Sequence, residues 1–82
     1  MPKIPRDLSG KELAVYLEQY GYRITRQTGS HIRLTSNIMS KEHHITIPDH
    51  APLKIGTLNA IIRDISGYLK INRQIFIKNL LK

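Results

Sequence analysis

Tyr22-Arg23-Ile24-Thr25-Arg26-Gln27-Thr28-Gly29-Ser30-His31-Ile32-Arg33-Leu34-Thr35 is the stretch that decides the fold of this chain. Apolar residues recur at every second position on both sides of Thr28-Gly29: Tyr22 and Ile24 before it, Ile32 and Leu34 after it. Arg23, Thr25, His31, Arg33 and Thr35 fill the places between. A period of two belongs to a strand, because successive side chains of extended backbone point to opposite faces. Glycine at the break permits a tight reversal. The stretch therefore predicts an antiparallel hairpin that delivers His31 at the first residue of its second strand.

A third alternating run follows the polar connection through Ser36-Asn37 and Ser40-Lys41-Glu42. In it Ile45 and Ile47 oppose His44 and Thr46, and Pro48, with no amide to offer a ladder, closes the strand. On either side of these strands the period is helical. Ser9-Gly10-Lys11-Glu12 has capping-box spacing, and Leu8 and Leu13 stand at the positions of a hydrophobic staple. Leu13, Tyr16, Leu17 and Tyr20 then form one apolar stripe up to Gly21. This predicts a helix over about residues 10 to 20, with both tyrosines in the core. Leu58, Ile61, Ile62 and Ile65 predict a second helix, with Thr57 as its cap and Gly67 as its stop. Asn72 can cap a short last helix carrying Ile75, Phe76 and Leu80. The sum is an α+β fold of order α-β-β-β-α with a short C-terminal helix. Its three-stranded antiparallel sheet has helices packed on one face and water on the other.

With 82 residues the chain is expected to form one domain, 1–82, since a chain of this size buries only about 60% of its unfolded surface. Thirteen Lys and Arg against six Asp and Glu give a formal net charge of +7, which suits a polyanion such as nucleic acid, or an acidic protein. There is no cysteine, which removes disulfides and thiolate zinc sites and fits a reducing cytoplasm. The start, Met1-Pro2-Lys3-Ile4-Pro5-Arg6, lacks the apolar run of a signal peptide, and no segment has the length of a membrane span. The expectation is a cytoplasmic protein with no membrane partner.

If Ile24, Ile32, Leu34, Ile45 and Ile47 face the core, alternation puts Arg23, Thr25, His31, Arg33, His44 and Thr46 on the open face. A register pairing Arg33 with His44 would set His31 opposite Thr46, with His31 and His44 as diagonal neighbours about 7–8 Å apart. RNA cleavage without a metal needs a group to take the 2′-hydroxyl proton, a group to protonate the leaving oxygen, and positive charge near the phosphate. His31 is the candidate for proton transfer and His44 a candidate second group. Arg26 and Arg33 are candidates to hold the phosphate. Arg23 and Ser30 lie beside them, and Lys54, in Lys54-Ile55-Gly56-Thr57, brings a cation to the free amides of a helix start. The plainer reading of each is a solvated sheet face, a turn serine and an ordinary helix cap. His43, His44 and His50 invite a metal, but His43 and His44 point to opposite faces and no carboxylate or thiol completes a ligand spacing. Neither a metal nor another cofactor is therefore expected. Lys70, Arg73, Lys78 and Lys82 read as solubilising charge.

Leu8-Ser9-Gly10-Lys11-Glu12-Leu13, Gly21-Tyr22, Gly29-Ser30-His31, Ile47-Pro48-Asp49-His50, and Gly56-Thr57-Leu58 through Ile61-Ile62-Arg63 together resemble the HicA, or YcfA-like, toxin family. The resemblance runs in order over almost the whole chain. It implies a double-stranded-RNA-binding-like fold and an mRNA interferase, an endoribonuclease that arrests translation as the toxin of a toxin–antitoxin pair. The essential histidine of the family's glycine-serine-histidine block maps onto His31. The implied partners are mRNA and a HicB-like antitoxin. The connection from Thr35 to His43 departs from the family's short Pro-Asp-Gly-type turn. A non-catalytic RNA-binding module on the same fold is the alternative reading.

Overall fold

Ser9 opens the first helix as its spacing predicts. Its hydroxyl accepts from the Glu12 amide at 3.1 Å, and the Glu12 carboxylate accepts from the Ser9 amide at 3.0 Å, closing both halves of a capping box. The computed structural model describes residues 7–80; the stretch 1–6 and Lys82, on which the signal-peptide and surface-charge readings fall, lie outside the described residues. Helix α1 spans Gly10–Leu17, tightens into a 3-10 turn over Glu18–Tyr20 and leaves through Gly21. Strands β1 (Arg23–Thr28), β2 (His31–Ser36) and β3 (His43–Pro48) form an antiparallel sheet in that order. Helices α2 (Ile55–Leu69) and α3 (Arg73–Leu80) follow.

The architecture is the predicted α+β one. Ile32, Leu34, Ile45 and Ile47 turn inward and are buried with Leu13 and Leu17 of α1, Leu58, Ile62 and Ile65 of α2, and Phe76 of α3. Tyr16 and Tyr20 are partly buried rather than core, and they flank Phe76 with ring centroids at 5.5 and 5.3 Å. The Tyr16 hydroxyl donates to the Phe76 carbonyl at 3.2 Å, so α1 and α3 are joined by both packing and a hydrogen bond. The Gly10 amide donates to the His50 carbonyl at 3.0 Å, and a side chain at Gly10 would collide with the Pro48 carbonyl oxygen. This close approach locks the start of α1 onto the end of β3.

Several expectations change. The register of β2 on β3 is displaced by two residues: Arg33 lies opposite Thr46, Thr35 opposite His44, and His31 opposite Pro48. A displacement of two keeps each side chain on its face, but His44 is no longer the diagonal neighbour of His31. It stands four residues further along, about 13 Å at the strand rise. The cause is a contact that parity does not reveal. The Tyr68 hydroxyl of α2 accepts from the Met39 amide and shares its one proton between the Ser36 and Lys41 carbonyls, holding the connection 37–42 wide.

Ile24, expected inside, is 54% exposed, like every residue of β1, because the core is closed by β2, β3 and the helices without a side chain from that strand. A bulge between Ile24 and Arg26 sets Thr25 and Arg26 together against Arg33. Helix α2 starts at Ile55 with Lys54 as its cap, not at Thr57. It also runs through Gly67 to Leu69, because buried Leu69 continues the apolar stripe; the left-handed residue that ends it is Lys70, at φ +55°. Asn72 caps α3 as expected, its side-chain oxygen accepting from the Gln74 and Ile75 amides at 2.8 and 3.3 Å. Ile75 points outward, since Phe76, Ile77 and Leu80 make the buried stripe.

Two measurements check this packing. Gly10→Ala should lower stability by about 1–3 kcal/mol through overpacking against Pro48, whereas Gly67→Ala, in open space within a helix, should raise it by about 0.5–1 kcal/mol; urea unfolding reads both. Burial, ahead of neighbouring groups, raises the phenols of Tyr16 and Tyr22 well above the ordinary tyrosine value. A folded pKa above the unfolded one gives stability that is complete below about pH 10 and lost as pH rises beyond it. The urea midpoint should thus hold level up to that point and fall above it, and fall less steeply in Tyr22→Phe.

Candidate functional site

The open face of the sheet is a grid set by the pairing of its strands. Across the end nearest the hairpin, Thr28, His31 and Pro48 lie in one row. The next row is Arg26, Arg33 and Thr46, and the one after it Arg23, Thr35 and His44. Same-face rows are two residues apart, about 6.6 Å.

His31 owes its position to the turn before it. Gly29 takes φ +56°, a left-handed conformation that a residue with a β-carbon adopts only under strain, and the Asp49 amide donates to the Ser30 carbonyl at 2.7 Å. The tip is thereby tied to the end of β3. His31 and Ser30 are both exposed, and among the described residues neither a hydrogen bond nor an ion pair engages the His31 ring. Its imidazole is available on a fixed backbone.

Arg33 and Arg26 are paired directly across the strands and both are exposed. Strict alternation would have put Arg26 on the face of Ile24; the bulge turns it to the face of Arg33. No ion pair among the described residues involves a sheet arginine. Arg23 follows at the far row, also exposed. Lys54 is exposed at the start of α2, where no side chain caps the helix and no acidic residue occupies the first turn.

His44 differs from His31. Its Nδ1 lies 2.8 Å from the Thr35 hydroxyl, which is itself 3.0 Å from the Thr25 hydroxyl, and its Nε2 lies 2.7 Å from the Glu42 carboxylate. Both ring nitrogens are therefore engaged. The Thr25–Thr35 link and the Glu42 partner were missed in the sequence, although Glu42 and His44, two residues apart, share a face by parity. His43 turns the other way, toward the helices. Its ring stacks on Tyr68 at 4.5 Å, with Nδ1 2.6 Å from the Tyr22 hydroxyl and Nε2 3.2 Å from Asp64. His50 is an exposed loop residue. No helix among the described residues is long and apolar enough to cross a membrane.

What the face can do follows from this inventory. One unencumbered imidazole stands a row away from two unneutralised guanidinium groups, with threonine and serine hydroxyls between and beside them. That set can move a proton next to a bound phosphate.

No curated protein and no solved structure gives a match to this chain. A family model described as the HicA toxin of bacterial toxin–antitoxin systems does match, over residues 10–66. The matched span begins at the first residue of α1, takes in the whole sheet with Gly29-Ser30-His31, and ends inside α2. The chain belongs to the HicA toxin family.

Proposed function

We propose that this toxin is an mRNA interferase, an endoribonuclease that cuts RNA by proton transfer through His31 without a metal. The observation that carries the reading is the exposed, unengaged His31 ring on a pinned hairpin tip, one row from the Arg26–Arg33 pair. In the reaction the 2′-oxygen of the substrate bonds to the adjacent phosphorus and the bond from phosphorus to the 5′-oxygen breaks, leaving a 2′,3′-cyclic phosphate and a 5′-hydroxyl. His31 takes the 2′-hydroxyl proton or gives one to the departing oxygen, the general acid–base role that histidine fills most often.

Positive charge near the reacting phosphate stabilises the extra charge that develops on its oxygens. Arg26 and Arg33 supply it from the adjoining row, where they hold the RNA backbone beside the reacting phosphate, Ser30 offers a hydroxyl at the tip, and Arg23 and Lys54 extend the grip. A separation of about 13 Å along the strand, together with its Thr35 and Glu42 partners, argues against His44 as the second proton-transfer group at the same phosphate. Solvent or the substrate handles the second proton in this reading, and His44 fixes the far end of the face. A shape-reading, double-stranded-RNA-binding-like grip agrees with a surface made of backbone-binding groups, with no phenylalanine, tyrosine or tryptophan on its strands. The partner is a HicB-like antitoxin, acidic where it covers the basic face, and the place of action is the cytoplasm, where mRNA is translated.

Purified protein incubated with RNA in EDTA should yield fragments ending in a cyclic phosphate. His31→Ala should abolish them while retaining the fold and most of the affinity, and expression of the wild type should arrest growth unless the antitoxin is supplied. A gel shift without cleavage by the wild-type protein would assign it instead as a binding module. Cleavage undiminished by His31→Ala would remove the chemistry proposed here.

A further inference from the structure

Arg26 and Arg33 stand directly opposite each other on β1 and β2. Like charges in that relation repel and weaken a strand pair. No carboxylate among the described residues forms an ion pair with either, although Glu42 and Asp49 each pair with another group. The bulge deepens the peculiarity. Without it the alternation of β1 would carry Arg26 away from Arg33; with it, the two cations are brought onto one face. An arrangement that costs the free sheet stability, and that a local irregularity of the backbone creates, fits an anion held between two guanidinium groups. Each guanidinium presents a planar fork of donors that matches two oxygens of a phosphate.

Strand side chains stand roughly perpendicular to the sheet, so the pair occupies its own row, about 6.6 Å from the row of His31. That interval is of the same order as the step from one phosphate to the next along a nucleic-acid strand. We infer that Arg26 and Arg33 together clamp a single phosphate, the immediate neighbour of the one cut at His31, and so fix the RNA strand in register with the pleat of the sheet. The inference rests on the RNA-cleaving reading above and adds to it a position and a stoichiometry. The clamp engages one side of the cut only, because the row on the other side of His31 would fall beyond Pro48 and the hairpin tip, where the sheet ends. Substrate is thus positioned asymmetrically about the broken bond.

Counterion release gives the stoichiometry a direct readout. For a single strand, the slope of log affinity against log salt changes by about 0.7 for each phosphate neutralised. In the His31→Ala background, which isolates binding from cutting, Arg26→Gln/Arg33→Gln should lower the slope by about 0.7; a fall of about twice that, one phosphate per arginine, overturns the shared clamp. Position is read with synthetic oligoribonucleotides spanning the cut that wild-type protein makes, each with one phosphate replaced by an uncharged methylphosphonate. Replacement next to the scissile phosphate, on one side, should weaken binding about tenfold, and the loss should vanish in the double variant. Equal losses on both sides, or a loss that persists in the double variant, overturn the assignment while leaving RNA cleavage standing. RNA that is bound but never cut, or not bound at all, overturns the proposed function and the clamp with it. The urea midpoint of Arg26→Gln should equal or exceed that of the parent, since the substitution relieves repulsion; a clear drop would make the pair structural and overturn the clamp.

Discussion

Burial of Ile32 and Leu34 is the constraint on which the rest of this molecule depends. Both are essentially sealed from water in the central strand, at 1% and 0% exposure. Each such side chain contributes about 1.5–3 kcal/mol when removed from solvent. A slip of one residue would expose both and drive the Arg33 guanidinium into the core, where an unpaired charge costs far more than the slip could return. The apolar pair therefore dictates that His31 and Arg33 face outward. The position of the groups proposed for the chemistry follows from the packing of residues that take no part in it.

That dependence explains how much of the molecule could be read from the chain. The strands, the inward set on β2 and β3, the capping box at Ser9 and the cap at Asn72 are local patterns, and local patterns survive in one dimension. The outward placement of His31 follows from parity alone. The pairing of β3 could not be read in the same way. Parity fixes faces but leaves registers two residues apart equivalent, and the choice between them falls to Tyr68, a residue from another helix that grips the connecting loop. Ile24 and Arg26 escaped for a related reason. An edge strand can take up an extra residue without losing a core contact, so nothing in its alternation announces the bulge.

His43 and His44 show what the pleat makes of neighbours. One is folded beneath the helix layer, stacked on Tyr68 and bonded to Tyr22 and Asp64. The other lies on the open face between Thr35 and Glu42. Adjacent in sequence, they have no partner in common. The sheet histidine whose ring has no partner among the described residues is the one at the turn, where the backbone rather than the side chain is secured.

The bulge in β1 has a further effect on how the molecule lives among others of its kind. An outermost strand exposed along its whole length is a template on which a second polypeptide can add, hydrogen bond by hydrogen bond, toward an endless sheet. A kinked backbone breaks the straight row of donors and acceptors that such growth requires, and two arginines along that rim repel an identical rim brought alongside. The same irregularity thus works against strand-by-strand aggregation at the border of a fold too small to cover its own margin.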